Sequence, residues 1–167
     1  MDAKPRAVSR SPRLTGRGLV VWLLMACYGP GCSPTPSPET PDHAADEAAI
    51  RAVLQQQVAA WNRGAIDAFM DGYARTDSLR FASGGAVQTG WQATLDRYHR
   101  TYPDRAAMGR LTFDLRAVRL LSARWAMVFG SYQLERAEDR PSGLFTLLFE
   151  KRLEGWRIVH DHTSAGS

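Results

Sequence analysis

Two histidines and an aspartate follow an apolar segment close to the C-terminus. The apolar part contains Trp156 and Ile158, and the titratable part is His160, Asp161 and His162. Side chains two residues apart share one face of a β-strand, so the buried face set by Trp156 and Ile158 would continue into both histidines. The sequence therefore predicts that the two histidines line a mostly apolar cavity, provided that no bulge interrupts the strand.

A histidine in such a place is a candidate general base, because imidazole titrates near neutral pH and its surroundings tune it. We expect His162 to be the catalytic base, with His160 or Asp161 as its partner, although Asp161 points to the opposite face of the strand. The alternative is structural, with one histidine bonded in the core and the other at a rim or an interface. His160 and His162 could also belong to a metal site, but no third ligand is identifiable, so we predict no metal and no cofactor.

Aromatic residues are the candidate ligand contacts. Most aromatic side chains of a small domain pack its core, but buried tyrosine hydroxyls need hydrogen-bond partners and can offer them to a ligand. The ligand-binding candidates are Trp61, Tyr73, Phe81, Trp91 and Tyr98.

The elements that position these residues change type halfway along the chain. Helical spacing of apolar residues predicts a first helix over 40–64, capped by Thr40, then a short second helix and a third opened by a capping box at 89–92. A short strand at 79–81 precedes the third helix. From Leu111 onward the apolar period is two, which predicts four long strands, with a hairpin loop at 136–143. Helices followed by antiparallel strands predict an α+β fold whose sheet curls around the helices.

The N-terminal region has the pattern of an export signal. Five basic residues precede an apolar run of eight at 19–26, well short of the ~20 that span a bilayer as a helix. The run resembles a bacterial lipoprotein signal, so we expect residues 1–26 to be removed and Cys27 to be lipidated, with Cys32 as the alternative. A secreted soluble protein remains the other interpretation. Residues 27–41 are rich in proline and predict an extended tether, followed by one domain at 42–167.

The charge of the exported part argues against nucleic acid as a partner. Residues 1–26 hold five of the 21 Lys and Arg residues and one of the 17 Asp and Glu residues. The remainder therefore carries no formal net charge, whereas phosphate binding needs a basic surface.

The order of elements and several short motifs resemble the nuclear transport factor 2-like superfamily, most closely its SnoaL-like branch of bacterial proteins of unknown function. That superfamily has a cone-shaped roll, in which N-terminal helices pack into a strongly curved, mainly antiparallel sheet. The residues that carry the resemblance lie at 60–64, 69–73, 79–81, 90–91, 143–146 and 155–164.

The last strand also resembles the association domain of calcium/calmodulin-dependent protein kinase II, in which arginines line an acid-binding pocket. The corresponding positions are Gly130, Leu147 and Thr163 here, so the resemblance does not imply an acidic ligand.

The resemblance implies a conical apolar pocket that binds a small apolar or amphipathic molecule, and we expect a homodimer. The N-terminal signal adds the expectation that the protein is tethered to a membrane, at the periplasmic side or the cell surface. It leaves open whether the protein is an enzyme. Cofactor-independent isomerisation, dehydration or hydrolysis is the chemistry that such folds support, and a non-catalytic association module is the alternative.

Overall fold

The computed structural model describes residues 42–166. The predicted export signal at 1–26, the tether at 27–41 with Cys27 and Cys32, and the predicted helix start at Thr40 lie outside these residues. None of the helices within the described part of the chain is long and apolar enough to cross a membrane.

Within residues 42–166, four helices precede the long strands. The first begins later than predicted, because Asp42 caps it and accepts a hydrogen bond from the Ala45 backbone N–H at 3.0 Å. It ends before Gly64, whose φ of 84° is in the left-handed region that favours glycine. The helices are α1 His43–Asn62, α2 Ile66–Met70, α3 Trp91–Thr101 and α4 Arg105–Met108.

The capping box predicted at 89–92 is wrong. Gly90 occupies the N-cap of α3 with a φ of 95°, and no side chain caps the helix. Thr89 instead ends the preceding strand, where its hydroxyl accepts a hydrogen bond from Arg80 at 3.0 Å. The N-cap position of α3 has a positive φ, which favours glycine. Gly90 therefore occupies this position, and Thr89 lies one residue before it.

In the described part of the chain, six strands form one curved, unclosed sheet in the order β2-β1-β6-β5-β4-β3. The pair β1 and β6 is parallel, and all other neighbours are antiparallel. The predicted α+β class is therefore confirmed. The strands are β1 Arg80–Ser83, β2 Ala86–Thr89, β3 Arg110–Leu120, β4 Trp125–Glu135, β5 Ser142–Arg152 and β6 Gly155–Thr163.

Helix α1 fills the inner side of the sheet. It packs against β3 and β6 through one face, on which Ile50, Leu54 and Trp61 are at most 2% exposed. The spacing of these residues is the helical period that the sequence displays. Trp156 and Ile158 on β6 are equally buried, as the sequence predicted. The helix thus closes one side of the space in which the candidate site lies.

Candidate functional site

Strand β6 changes its inward-facing set of residues at a β-bulge. Phe149 of β5 pairs with Ile158, whereas the preceding residue Leu148 pairs with His160. Val159 therefore has no residue opposite it, and the alternation of side chains slips by one position from there on.

The slip reverses the predicted orientation of the titratable residues. Asp161 is 4% exposed and Thr163 is half-buried beside it, while His160 and His162 are exposed on the outer face. The prediction that both histidines face the interior is wrong, because it assumed a strand without a bulge. Of the three predicted catalytic residues, the structure brings Asp161 alone to the interior.

Asp161 lies in the wall of an aromatic cavity of about 120 Å³ between α1, α3 and the sheet. The remaining wall is mostly aliphatic or hydroxyl-bearing. The nine aromatic residues of this wall, which define the aromatic cavity, are Trp61, Phe69, Tyr73, Phe81, Tyr98, Tyr102, Phe113, Tyr132 and Phe145.

Hydroxyl groups satisfy the Asp161 carboxylate. Tyr73 Oη donates to Oδ2 at 2.7 Å, and Thr163 Oγ1 donates to Oδ1 at 2.7 Å. The Tyr73 and Tyr98 hydroxyl oxygens are 3.4 Å apart, so Tyr98 extends the chain of hydroxyls further along the wall. These bonds fix the carboxylate in place and present it to the aromatic cavity.

Burial is the main cause of the raised pKa of the Asp161 carboxyl. It raises the pKa of Asp161 from 3.8 to about 6, although the hydrogen bonds from Thr163 and Tyr73 and the charge of His162 lower it. A carboxyl group with such a pKa can accept or release a proton near neutral pH.

The two tyrosines next to Asp161 remain protonated. Burial, together with the nearby carboxylate charge, raises the pKa of Tyr73 and of Tyr98 well above 10.0. Each phenol is therefore a hydrogen-bond donor at neutral pH. Because the Tyr73 proton is given to Asp161, Tyr98 is the donor in the long 3.4 Å contact with Tyr73 Oη, and it is this weakly held proton that Tyr98 can turn to a bound molecule.

Four of the five predicted aromatic contacts lie on the cavity wall: Trp61, Tyr73, Phe81 and Tyr98. Trp91 lies elsewhere. Its indole N–H donates to the Met70 carbonyl at 3.0 Å, and the Arg75 guanidinium lies 4.3 Å from the centre of its ring. Trp91 therefore anchors the start of α3 to the end of α2.

The sequence interpretation missed three polar wall residues on helices, Gln57, Arg97 and Thr101. Gln57 is 2% exposed, and its amide donates to the Phe69 carbonyl at 3.0 Å. Gly72 makes room for it, since a Cβ there would come within 2.6 Å of the Gln57 side chain. A glutamine between the apolar residues of this face was a visible signal, because it is seven residues after Ile50 and three after Leu54.

Arg97 is the second missed residue. It is half-buried on α3, and its guanidinium lies 5.0 Å from the centre of the Phe81 ring. Nothing in the sequence distinguishes it from the surface arginines nearby. Leu147 and Thr163, where the kinase association domain is expected to carry arginines, do line the cavity.

The arrangement combines an apolar wall, one carboxyl group of raised pKa and neighbouring phenols. It can hold a small molecule, position its polar group by hydrogen bonds and exchange a proton with it. Within residues 42–166, no group of three His, Cys, Asp or Glu side chains is arranged to hold a metal ion.

Solved structures share this fold. A nuclear transport factor 2-like protein of unknown function from Shewanella oneidensis is 42% identical, with a TM-score of 0.68, over 70% of this chain and 97% of that one. A ketosteroid isomerase-like protein from Erwinia carotovora is 21% identical, with a TM-score of 0.60, over 73% and 97% of the two chains.

A candidate calcium/calmodulin-dependent protein kinase type II association domain from Thiobacillus denitrificans is also similar. It is 21% identical, with a TM-score of 0.61, over 70% of this chain and 94% of that chain. At this level of identity the likeness shows the fold alone. No match is found among the curated proteins.

Residues 50–166 match the SnoaL-like domain family, which covers most of the chain. This match includes α1 from Ile50 onward and all six strands. The protein therefore belongs to the SnoaL-like domain family and has the nuclear transport factor 2-like fold.

Proposed function

We propose that this protein binds a small apolar or amphipathic molecule in the aromatic cavity, with the polar end of the molecule at Asp161. The supporting observation is a buried carboxyl group that faces a cavity walled mostly by aromatic rings. Apolar walls with a few fixed polar groups are typical of small-molecule sites.

Blocking the cavity tests this proposal. Ser83 lies on the wall at the end of β1, and Ala82 precedes it on the opposite face of the same strand. Native mass spectrometry should detect a bound small molecule on the wild type and on the control Ala82→Phe, and lose it on Ser83→Phe. Equal retention by both variants would contradict binding in this cavity.

Proton transfer is a second candidate, favoured by the pKa of about 6 at Asp161. The ionised carboxylate would take a proton from a carbon next to a carbonyl group and return it to another carbon, while the Tyr98 hydroxyl donates to the carbonyl oxygen. His162 and His160, on the outer face, would have no part in this step.

A simple isomerisation is a direct assay for this candidate. Cyclohex-3-enone becomes the conjugated cyclohex-2-enone when one proton moves from C2 to C4, and the product is followed by its ultraviolet absorbance. Asp161→Asn should abolish any protein-dependent rate, and His162→Ala should not change it. A rate that survives Asp161→Asn would contradict the role of this carboxyl.

Association between copies is the alternative function, favoured by the outer face of the sheet. Met127, Phe129 and Leu148 are half-buried there, and Leu144 is 41% exposed. A homodimer through this face would cover these apolar side chains together with the exposed histidines. Native mass spectrometry would show a dimer for the wild type and a monomer for Phe129→Arg, and a monomeric wild type would contradict association.

Export and membrane attachment remain part of the proposal. The N-terminal sequence supports a lipoprotein in which Cys27 carries the lipid. Metabolic labelling with a fatty-acid analogue should label the wild type and Cys32→Ser, but not Cys27→Ser. The reverse pattern would assign the lipid to Cys32, and label in both variants, or in neither the variants nor the wild type, would contradict lipidation at a single one of these cysteines.

A further inference from the structure

The carboxylate of Asp161 is buried without a cationic partner. Its two hydrogen-bond donors are the neutral hydroxyls of Tyr73 and Thr163. Among residues 42–166, no Lys, Arg or His side chain lies within ion-pair distance of it. A buried charge is costly unless it is paired, so this carboxylate would gain from a cation brought by a ligand.

Aromatic rings surround the space in front of this carboxylate. The Phe69 ring centre lies 6.0 Å from that of Tyr73 and 5.2 Å from that of Tyr98, and Tyr98 lies 5.5 Å from Phe81. Ring faces carry negative partial charge and attract cations, most strongly where water is excluded. The Arg97 guanidinium over Phe81 shows that this wall already accommodates a positive group.

We propose that the molecule bound in the aromatic cavity is an organic cation, an ammonium group on an apolar body, with its charge at Asp161 and its body against the rings. This proposal rests on the proposed function and specifies its ligand class. A neutral ligand of the same shape would satisfy the rings equally but leave the carboxylate unpaired.

Other charged groups around the cavity define where the ammonium lies. Arg97 is on the α3 side, with its guanidinium 5.0 Å from the centre of the Phe81 ring, so a second cation would avoid that side. His162 is next to Asp161 in β6 but on the outer face. Tyr73, Tyr98 and Tyr102 face the cavity as neutral phenols. The deep end beside Asp161 is thus where the ammonium group would lie.

Two probes of nearly equal shape separate charge from apolar contact. 2-Phenylethylammonium carries the cation, and 2-phenylethanol replaces it with a neutral hydroxyl. Calorimetric titration of the purified full chain at pH 7.5 should show that the ammonium binds about tenfold more tightly than the alcohol, or more, as a buried charge-assisted contact predicts.

Removal of the negative charge should erase this preference. Asp161→Asn keeps the shape of the side chain, so it should bind both probes with similar affinity. In the wild type, the affinity for the ammonium should rise about tenfold from pH 5 to pH 7.5 as Asp161 loses its proton, while the alcohol changes little. The pH series supplies the same test if the variant fails to fold.

The outcomes distinguish this inference from the function beneath it. If the alcohol binds as well as the ammonium, or better, the cation is excluded while small-molecule binding stands. If Asp161→Asn keeps the full preference, the charge is recognised elsewhere and the inference is overturned. If neither probe binds, the inference is overturned for ligands of this size, and the Ser83→Phe comparison decides the proposed function separately.

Discussion

Asp46 and Asp161 are both nearly inaccessible to solvent, at 6% and 4% exposure, yet their surroundings differ in charge. Asp46 at the start of α1 accepts hydrogen bonds from Lys151 Nζ at 2.6 Å and from the Trp156 indole N–H at 3.0 Å. Asp161 at the other end of β6 accepts hydrogen bonds from neutral hydroxyls only.

The pKa shifts of the two aspartates have opposite signs. Burial raises the pKa of Asp46, but the hydrogen bonds from Lys151 and Trp156 and the lysine charge outweigh it, so the pKa is lowered. At Asp161 burial prevails and the pKa rises to about 6. Burial alone therefore does not mark a candidate functional carboxylate, whereas burial beside a cavity with neutral hydrogen-bond donors only does.

The largest effect is expected at the Asp46 end of β6. Trp156 is 2% exposed and bonds Asp46, so Trp156→Ala should lower the free energy of unfolding by ~3–5 kcal/mol. Denaturant unfolding measures this, and Trp125→Ala is the control because Trp125 is 36% exposed. A loss below about 1 kcal/mol would mean that the contacts of Trp156 at this end of β6 do not stabilise the fold.

The pH dependence of stability should separate the two aspartates next. The pKa of Asp161 is higher in the folded protein, about 6 against 3.8, so the folded state holds the proton more tightly. Stability therefore falls as the pH rises through this window, by about 3 kcal/mol in all. Asp161→Asn lacks this titration and should gain stability relative to the wild type by that amount between pH 4 and pH 7.

Denaturant unfolding of both proteins at each pH checks this prediction, because all other titrating groups are shared and cancel in the difference. If the free energies of unfolding of the two proteins changed with pH in parallel, Asp161 would not be desolvated in the folded protein. At neutral pH the variant should be at least as stable as the wild type, which would be unusual for a residue with a purely structural role.

Asp46 should behave in the opposite way. Its lowered pKa contributes stability above about pH 4 that is lost as the pH falls through the folded value. Asp46→Ala should therefore cost about 1–3 kcal/mol at neutral pH, because Trp156 loses a buried acceptor, and less in acid. Glu47→Ala is the control, since Glu47 pairs with Arg51 at the surface. A cost that is constant with pH would contradict the ion pair.

The same strand shows how far the sequence could predict the site. Period-two alternation correctly buried Trp156 and Ile158, and the class of fold followed from the change of period near Leu111. The site was misassigned because the bulge at Val159 has no mark in the sequence: valine is an ordinary strand residue. Only the pairing with β5, a tertiary feature, reveals it.

Aromatic residues that were assigned to the cavity because of their side-chain type were predicted more reliably than β6 residues that were assigned by strand alternation. The position of an aromatic side chain on a helix does not depend on the register of the strands. Trp61 and Tyr98 line the cavity in this way. Arg97 could not be predicted, because the burial of one arginine among several depends on how α3 lies against β1.

The smallest effect should come from His162, the residue that a regular strand would have placed in the cavity. It is exposed on the outer face, so His162→Ala should change the free energy of unfolding by less than about 0.5 kcal/mol and leave ligand affinity unchanged. Its charge lowers the pKa of Asp161 through the strand, so the variant should titrate at slightly higher pH. Ligand affinity lost in His162→Ala but kept in Asp161→Asn would restore the histidine as the functional group and reverse the comparison between the two ends of the strand.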